Sequence, residues 1–160
     1  MKTLVTGATG YLGIPLVKAL VCRGMPVRAL IRTESKSHHI RHPLVELVKG
    51  DITDSKSLKR AVKGCDQIFH LAAFAGIWTR NPQLYYQVNV EGTRNLLSLA
   101  IEEGVRKVVL TSTAGVMGPV VNQGVPVNEQ TVYKPTFFSL YDESKFEAEN
   151  VALGFQDRGM

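Results

Sequence analysis

The sequence predicts an α/β fold with a doubly wound parallel sheet, and three observations predict it. Apolar runs of strand length alternate with segments of helical periodicity along the chain. A glycine-rich turn stands at the first junction between a strand and a helix. Two Gly-, Pro- and Asn-rich segments, Phe74 to Gln83 and Gly115 to Phe138, follow the ends of apolar runs. Alternating strands and helices imply a parallel sheet covered on both faces, with ligands bound in the loops beyond the carboxyl ends of the strands.

The elements follow in order. Lys2 to Thr6 is a short buried strand, and Tyr11 to Val21 carries apolar residues at helical spacing, with Pro15 early enough to cost little. Pro26 to Ile31 is a second strand and Val45 to Val48 a third. Ser55 to Val62 is a short helix capped by Asp54. Gln67 to Leu71 is a fourth strand, Leu84 to Glu102 a long helix ended by Gly104, and Arg106 to Leu110 a fifth strand. Near the end, Tyr141 and Lys145 stand four apart, so on a helix both project from one face.

At 160 residues with 44% hydrophobic residues, the chain has the size and make-up of one globular domain spanning residues 1–160. Its apolar runs are too short to cross a bilayer and no cleavable leader opens it, so the expectation is a soluble cytoplasmic protein without a membrane partner. Cys22 and Cys65 have no metal or disulfide spacing and are expected as buried or half-buried thiols, with no metal site. His38, His39 and His42, without acidic or thiol partners, are expected at the surface. The net charge of +5 is concentrated between Lys18 and Lys49, where seven Lys and Arg face only Glu34 and Glu46. A basic window of that extent suits one bound anionic group better than a long polyanion, which argues against nucleic acid.

The anionic group is suggested by Thr6-Gly-Ala-Thr-Gly-Tyr-Leu-Gly13. Gly7, Gly10 and Gly13 are spaced three apart between strand and helix, where a pyrophosphate can approach the backbone and the helix N-terminus. This is the turn of a Rossmann-type dinucleotide-binding domain. The second strand ends in Ile31 and Arg32, where an acid would hold the ribose hydroxyls of NAD. A guanidinium there can pair with a 2′-phosphate, which favours NADP, with NAD as the alternative.

Six segments, in order, resemble the extended short-chain dehydrogenase/reductases, the group of NAD(P)-dependent epimerases, dehydratases and dihydroflavonol-reductase-like enzymes. They are Thr6 to Gly13, Gly50-Asp-Ile-Thr-Asp54, His70-Leu-Ala-Ala73, Asn89-Val-Glu-Gly-Thr-Arg-Asn95, Thr111-Ser-Thr-Ala114 and Tyr141-Asp-Glu-Ser-Lys145. The resemblance implies that Gly7, Thr9, Gly10, Tyr11, Leu12, Gly13, Arg32, Asp51, Ile52, Leu71, Ala72, Ala73 and Lys145 line the cofactor. Asp51 would approach the adenine, and His70 would be structural. It also implies a catalytic set of Thr113, Tyr141, Lys145 and Asn89, with Ser112 the lesser candidate for the hydroxyl. Asn89 would support the lysine through water, and Trp78 is expected to pack within its loop, with a substrate-facing role as the alternative.

The chemistry so implied is hydride transfer, with the proton handled by Tyr141. The charge of Lys145 would favour the phenolate, and Thr113 would bond the substrate oxygen. The leading expectation is a carbonyl reductase of the dihydroflavonol-reductase-like type. The alternatives are a nucleotide-sugar epimerase or dehydratase with bound NAD, and a non-catalytic NADP-binding regulatory domain. The substrate would be a small carbonyl compound or a sugar nucleotide, and the helices Leu84 to Glu102 and Tyr141 to Leu153 would be the faces of a homodimer. The family's pattern continues into a sixth strand and a substrate-binding portion, so the sequence is expected to be truncated before them.

Overall fold

A computed structural model describes residues 1–118, 126–128 and 136–156. Five strands, β1 (Thr3–Thr6), β2 (Val27–Ile31), β3 (Val45–Lys49), β4 (Gln67–His70) and β5 (Lys107–Leu110), form one parallel sheet in the order β3-β2-β1-β4-β5. The doubly wound sheet expected from the alternation is therefore present. The central β1 and β2 are buried along their whole length, whereas edge strand β3 is only half covered.

Alternation along β1 divides the core. Leu4 joins Leu58, Ala61 and Val62 of α2 (Ser55–Val62) and Leu96, Leu99 and Ala100 of a later helix. Val5 faces the other way, against Val17 and Leu20 of α1 (Gly13–Cys22). Helix α2 begins where expected, with the Asp54 carboxylate accepting from Lys56 N at 3.1 Å. Helix α1 starts two residues later than its periodicity suggests. The turn, closed by Gly10 N onto Gly7 O and Ile14 N onto Gly10 O, holds Tyr11 and Leu12 outside it.

The buried stripe of α1 runs Gly13, Val17, Leu20. Cys22 falls two positions beyond that stripe and is exposed, contrary to expectation, whereas Cys65 is buried. The three histidines of the Glu34–Ile40 region and its exit, His38, His39 and His42, are exposed.

The long helix expected over Leu84 to Glu102 is divided. After α3 (Gln83–Tyr85), a π-helical segment covers Tyr86–Glu91, and α4 runs Gly92–Glu102 until Gly104 ends it with φ +69°. The expected loop from residue 115 overlaps a 3₁₀ turn at Ala114–Met117. Much of its remainder, residues 119–125 and 129–135, lies outside the described residues. Helix α5 (Leu140–Gln156) carries Tyr141 and Lys145 and packs on α4 and the π segment. Among the described residues no helix is long and apolar enough to cross a membrane, and no cluster of three or more His, Cys, Asp and Glu could hold a metal ion.

Candidate functional site

The first site element is the turn after β1. Gly7 adopts φ +67°, and a Cβ there would lie 2.8 Å from Ala72 N and Leu71 C, so the turn passes directly under the chain leaving β4. A Cβ on Gly13 would collide with the Gly7 carbonyl and the Ala8 backbone. Only glycine closes this cradle. The N-terminus of α1 has no capping side chain and no acidic residue in its first turn. Its N–H groups and positive dipole end thus suit the pyrophosphate of a dinucleotide.

Around the cradle, Thr9 is half-buried, Gly10 is exposed, Tyr11 is 94% exposed and Leu12 is exposed. Ile31 is buried at the end of β2, and Arg32 after it is exposed. Leu71 and Ala72 are half-buried beside Gly7, and Ala73 is exposed. Asp51 closes a tight turn, its Oδ1 accepting from Thr53 N at 2.9 Å and from Thr53 Oγ1 at 2.8 Å. The Ile52 side chain is committed to the core, where Gly92 approaches so closely that a Cβ would stand 2.9 Å from Ile52 Cγ1.

Between cradle and helices lies His70, fully buried at the end of β4. In the register of the sheet Thr6 pairs with His70, and Thr6 Oγ1 lies 2.7 Å from His70 Nδ1. On the other side His70 Nε2 lies 3.0 Å from Thr93 Oγ1, whose own proton goes to Asn89 O at 2.6 Å. That commitment fixes the rest. Thr93 can only accept from His70, so Nε2 carries the hydrogen and Nδ1 accepts from Thr6, which in turn accepts from Ala72 N at 3.2 Å. The imidazole is neutral, and burial, reinforced by the Lys145 charge, pushes its pKa down to about 3. A structural rather than catalytic His70 is the arrangement expected of these partners.

Asn89, also buried, grips the loop after β4 with both ends of its amide. Oδ1 accepts from Phe74 N at 2.7 Å and Nδ2 donates to Phe74 O at 3.1 Å. The same Nδ2 donates to Ser144 Oγ at 2.9 Å, and Ser144 donates to Tyr141 O at 2.8 Å. Asn89 thus reaches α5 through Ser144.

Lys145 is 4% exposed and donates from Nζ to Thr111 O at 2.7 Å, beyond the carboxyl end of β5. Burial lowers its pKa, with Glu149 opposing. Tyr141, half-buried, has its pKa raised by burial first and by Asp142 second. The direction is opposite to the expected shift toward phenolate: desolvation of the phenol and the Asp142 charge set it, and Lys145 is not among its causes. Thr113 begins the 3₁₀ turn, its Oγ1 accepting from Gly115 N at 3.2 Å. Gly115 is backed by Asp142, the residue after Tyr141, which brings the Thr113 turn against α5. Ser112 instead borders the groove between β5 and α5 with Leu97, Val108 and Leu153, its Oγ buried. Trp78 does not pack within its loop. It is 75% exposed and follows Ile77, which is fully so.

The structure brings together Gly7, Leu71 and Ala72 at the cradle, and Asn89 and the residues Tyr141 to Lys145 through one hydrogen-bonded path. Thr6, Thr93 and Ser144 were missed as members of that path. Each stood inside a segment already singled out, and the four-residue step from Asn89 to Thr93 was the available signal for one link.

The sequence model of the "3-beta hydroxysteroid dehydrogenase/isomerase family" matches residues 4–160. Sterol demethylase protein B of Methylococcus capsulatus is 43% identical over 135 residues, covering 84% of this chain and 40% of the relative. A putative dihydroflavonol 4-reductase of Synechocystis is 34% identical over 157 residues, covering 97% and 45%. Among solved structures, a short-chain dehydrogenase/reductase superfamily protein of Agrobacterium tumefaciens with bound NAD superposes with TM-score 0.85 at 31% identity, covering 98% of this chain and 45% of that one. The UDP-glucose 4-epimerase of Thermus thermophilus, in complex with NAD, gives TM-score 0.86 at 28% identity, covering 99% and 51%. The chain thus spans less than half the length of both curated relatives.

Proposed function

The chain belongs to the 3-beta hydroxysteroid dehydrogenase/isomerase family, and from that premise we propose that it is the cofactor-binding part of an NAD(P)-dependent oxidoreductase that reduces a carbonyl group. Gly7, Gly10 and Gly13 would receive the pyrophosphate, with Thr9, Tyr11, Leu12, Leu71, Ala72 and Ala73 around it. Asp51 and Ile52 would border the adenine, Ile52 through its backbone because its side chain is in the core. Lys145 would hold the nicotinamide ribose. Bound there, the dinucleotide would supply hydride transfer to or from a carbonyl carbon.

The observation that carries this reading is the anchoring of the helix that bears both groups: Asn89 and Ser144 hold it beside Tyr141, and Lys145 reaches the end of β5. Tyr141 would give a proton to a carbonyl oxygen as charge develops on it. Thr113, against the start of α5, would donate a hydrogen bond to the same oxygen. Lys145 would present its ammonium at the end of β5, and Asn89 would hold the helix that carries both groups. The dihydroflavonol-reductase-like relative supports this reading. Exposed Ile77, Trp78 and Phe138 support an apolar substrate. A sugar-nucleotide substrate, as in the epimerase structure, is the second reading, and the fold likeness supports it.

Arg32, exposed and preceded by buried Ile31, supports NADP over the NAD named in the two solved structures. Titration calorimetry with NADPH and NADH tests this, and tighter NADH binding overturns it. In the whole protein, Tyr141→Phe is expected to lower kcat at least a hundredfold while cofactor affinity holds, the scale of a lost general acid. Turnover within a few-fold of wild type refutes the catalytic assignment. A regulatory domain without catalysis would bind dinucleotide and tolerate the same change. Leu140 and Leu153 on α5 are exposed, which fits a homodimer through α4 and α5, and sedimentation equilibrium reads that directly.

A further inference from the structure

The first turns of α5 are held in an unusual way. Its buried residues are Ser144, Lys145, Ala148 and Phe155, so the half of the helix that carries Tyr141 is anchored first by two polar side chains. Apolar packing in this half, through Ala148 and the contact of Phe146 with Phe137, sets its rotation about the axis only in part. Successive residues turn by about 100° around a helix, so a modest rotation would swing Tyr141 and Lys145 away from any shared target.

Hydrogen bonds supply the missing constraint. Lys145 Nζ is tied to Thr111 O, and Ser144 Oγ both receives Asn89 Nδ2 and donates to Tyr141 O. Asn89 is itself fixed at its backbone carbonyl by Thr93 Oγ1 and at its amide by both polar groups of Phe74. Thr93 is oriented by His70, and His70 by Thr6, next to the glycine cradle. Thr6, His70, Asn89, Thr93 and Ser144 are each at most 1% exposed, so none can exchange its partner for water without opening the core. The path is continuous from β1 to α5, with each hydroxyl proton directed to a single acceptor.

Resting on the reading of Tyr141 and Lys145 as reacting groups, we propose that Thr93 and Ser144 are positioning residues for the nicotinamide half of the cofactor. Their hydroxyls carry the orientation set at Thr6 and His70 across to α5, and so fix the helix face that presents Tyr141 and Lys145. Neither touches substrate or cofactor. Their effect is selective: the cradle and α1, which would hold the adenosine diphosphate half, do not depend on the rotation of α5.

The experiment is calorimetric titration with NADH and, separately, with ADP, which has the adenosine diphosphate but lacks the nicotinamide riboside. Thr93→Val keeps the side-chain volume and removes the hydroxyl, Thr93→Ser keeps the hydroxyl, and Ser144→Ala removes the last link. Thr93→Val and Ser144→Ala are each expected to raise the NADH Kd about tenfold, the scale of one lost buried hydrogen bond. The ADP Kd should stay within about twofold, and Thr93→Ser should keep the wild-type ratio of the two constants. Parallel weakening of NADH and ADP, as a general loss of structure would give, overturns the proposal, as does NADH affinity unchanged in both variants. Lys145→Ala separates the two levels. If it leaves the ratio of NADH to ADP affinity at the wild-type value, the underlying assignment of Lys145 to the nicotinamide half is what fails. If it changes that ratio while Thr93→Val and Ser144→Ala do not, only the positioning role falls.

Discussion

The two ends of the parallel sheet are held together by opposite means. At the carboxyl end, the Thr6, His70, Thr93, Asn89 and Ser144 path is neutral throughout and completely buried. At the amino end the ties are ionic. Arg28 Nε meets Glu46 at 3.1 Å, Lys2 Nζ meets the same carboxylate at 2.5 Å, and Asp66 receives Lys2 N at 2.5 Å and Arg106 at 3.4 Å. The difference follows from what each end must do. A neutral lattice adds no charge beside Lys145, so this buried ammonium keeps its field for the groups it faces. The amino end has no such demand, and there charged groups join strands and helices at the solvent boundary.

The largest test of this contrast is Arg28. Its NH1 donates to Ala61 O at 2.9 Å and Lys63 O at 2.6 Å, with Arg60 O at 3.4 Å, so it closes the C-terminus of α2 from inside the sheet. Arg28→Met retains the stem and removes every one of those donors. A loss of about 3 kcal/mol is expected in urea unfolding, because the carbonyls at the end of α2 lose a charged donor, Ala61 O retaining only Cys65 Sγ, while Glu46 keeps Lys2. A loss below about 1 kcal/mol would mean that the amino end is held by packing rather than by charge.

How much of this was legible in the sequence depends on the range of the signal. The sheet, the α2 cap and the glycine turn are written in neighbouring residues, through alternation, the Asp54 position and the spacing of Gly7, Gly10 and Gly13. Arg28 falls within the basic window around Arg32, yet the structure commits it to α2 at the opposite end of β2. Its place inside a run otherwise apolar, Val27 to Ile31, was the local sign of an internal partner. The exposure of Cys22 was likewise readable, from its offset against Val17 and Leu20. The hydroxyl path was not. Thr6 and His70 are 64 positions apart and meet only through the register of β1 with β4. Ser144 and Asn89, 55 apart, meet only because α5 packs on the π segment. The environment of Tyr141 was misjudged for the same reason: spacing shows that Lys145 shares its face, but not that burial dominates its titration.

The second test is titration of the carboxyl end. The folded pKa of His70 lies near 3, below the 6.5 of an unfolded histidine, so the unfolded chain binds the extra proton first as pH falls. Stability is therefore level above about pH 6.5 and declines toward pH 3 by about 1.4 kcal/mol for each pH unit, or about 2 kcal/mol by pH 5. The carboxylate of Glu46, whose pKa is lowered chiefly by the Lys2 hydrogen bond, adds to the decline only below its unfolded value of 4.5. Urea unfolding between pH 8 and pH 5 thus isolates the neutral end from the charged one. His70→Gln is expected to abolish the slope in that range, and a slope that survives the substitution would place its origin elsewhere.

The smallest effect distinguishes the charges that organise the fold from those that merely accompany it. Lys59 of α2 and Glu102 of α4 pair at 3.5 Å with both side chains more than half exposed. Their attraction is screened by water and salt, and both long side chains lose rotamer freedom to make it. Lys59→Ala is expected to change stability by less than about 0.5 kcal/mol, and added salt should erase even that. The comparison with Arg28 is then one of burial rather than of charge count. Both residues join α2 to a neighbouring element, but the Arg28 guanidinium is largely buried and bonds backbone carbonyls, whereas the Lys59 ammonium is exposed. A Lys59 effect approaching that of Arg28→Met would show that the exposed pair belongs to the same cooperative tie as the amino end of the sheet.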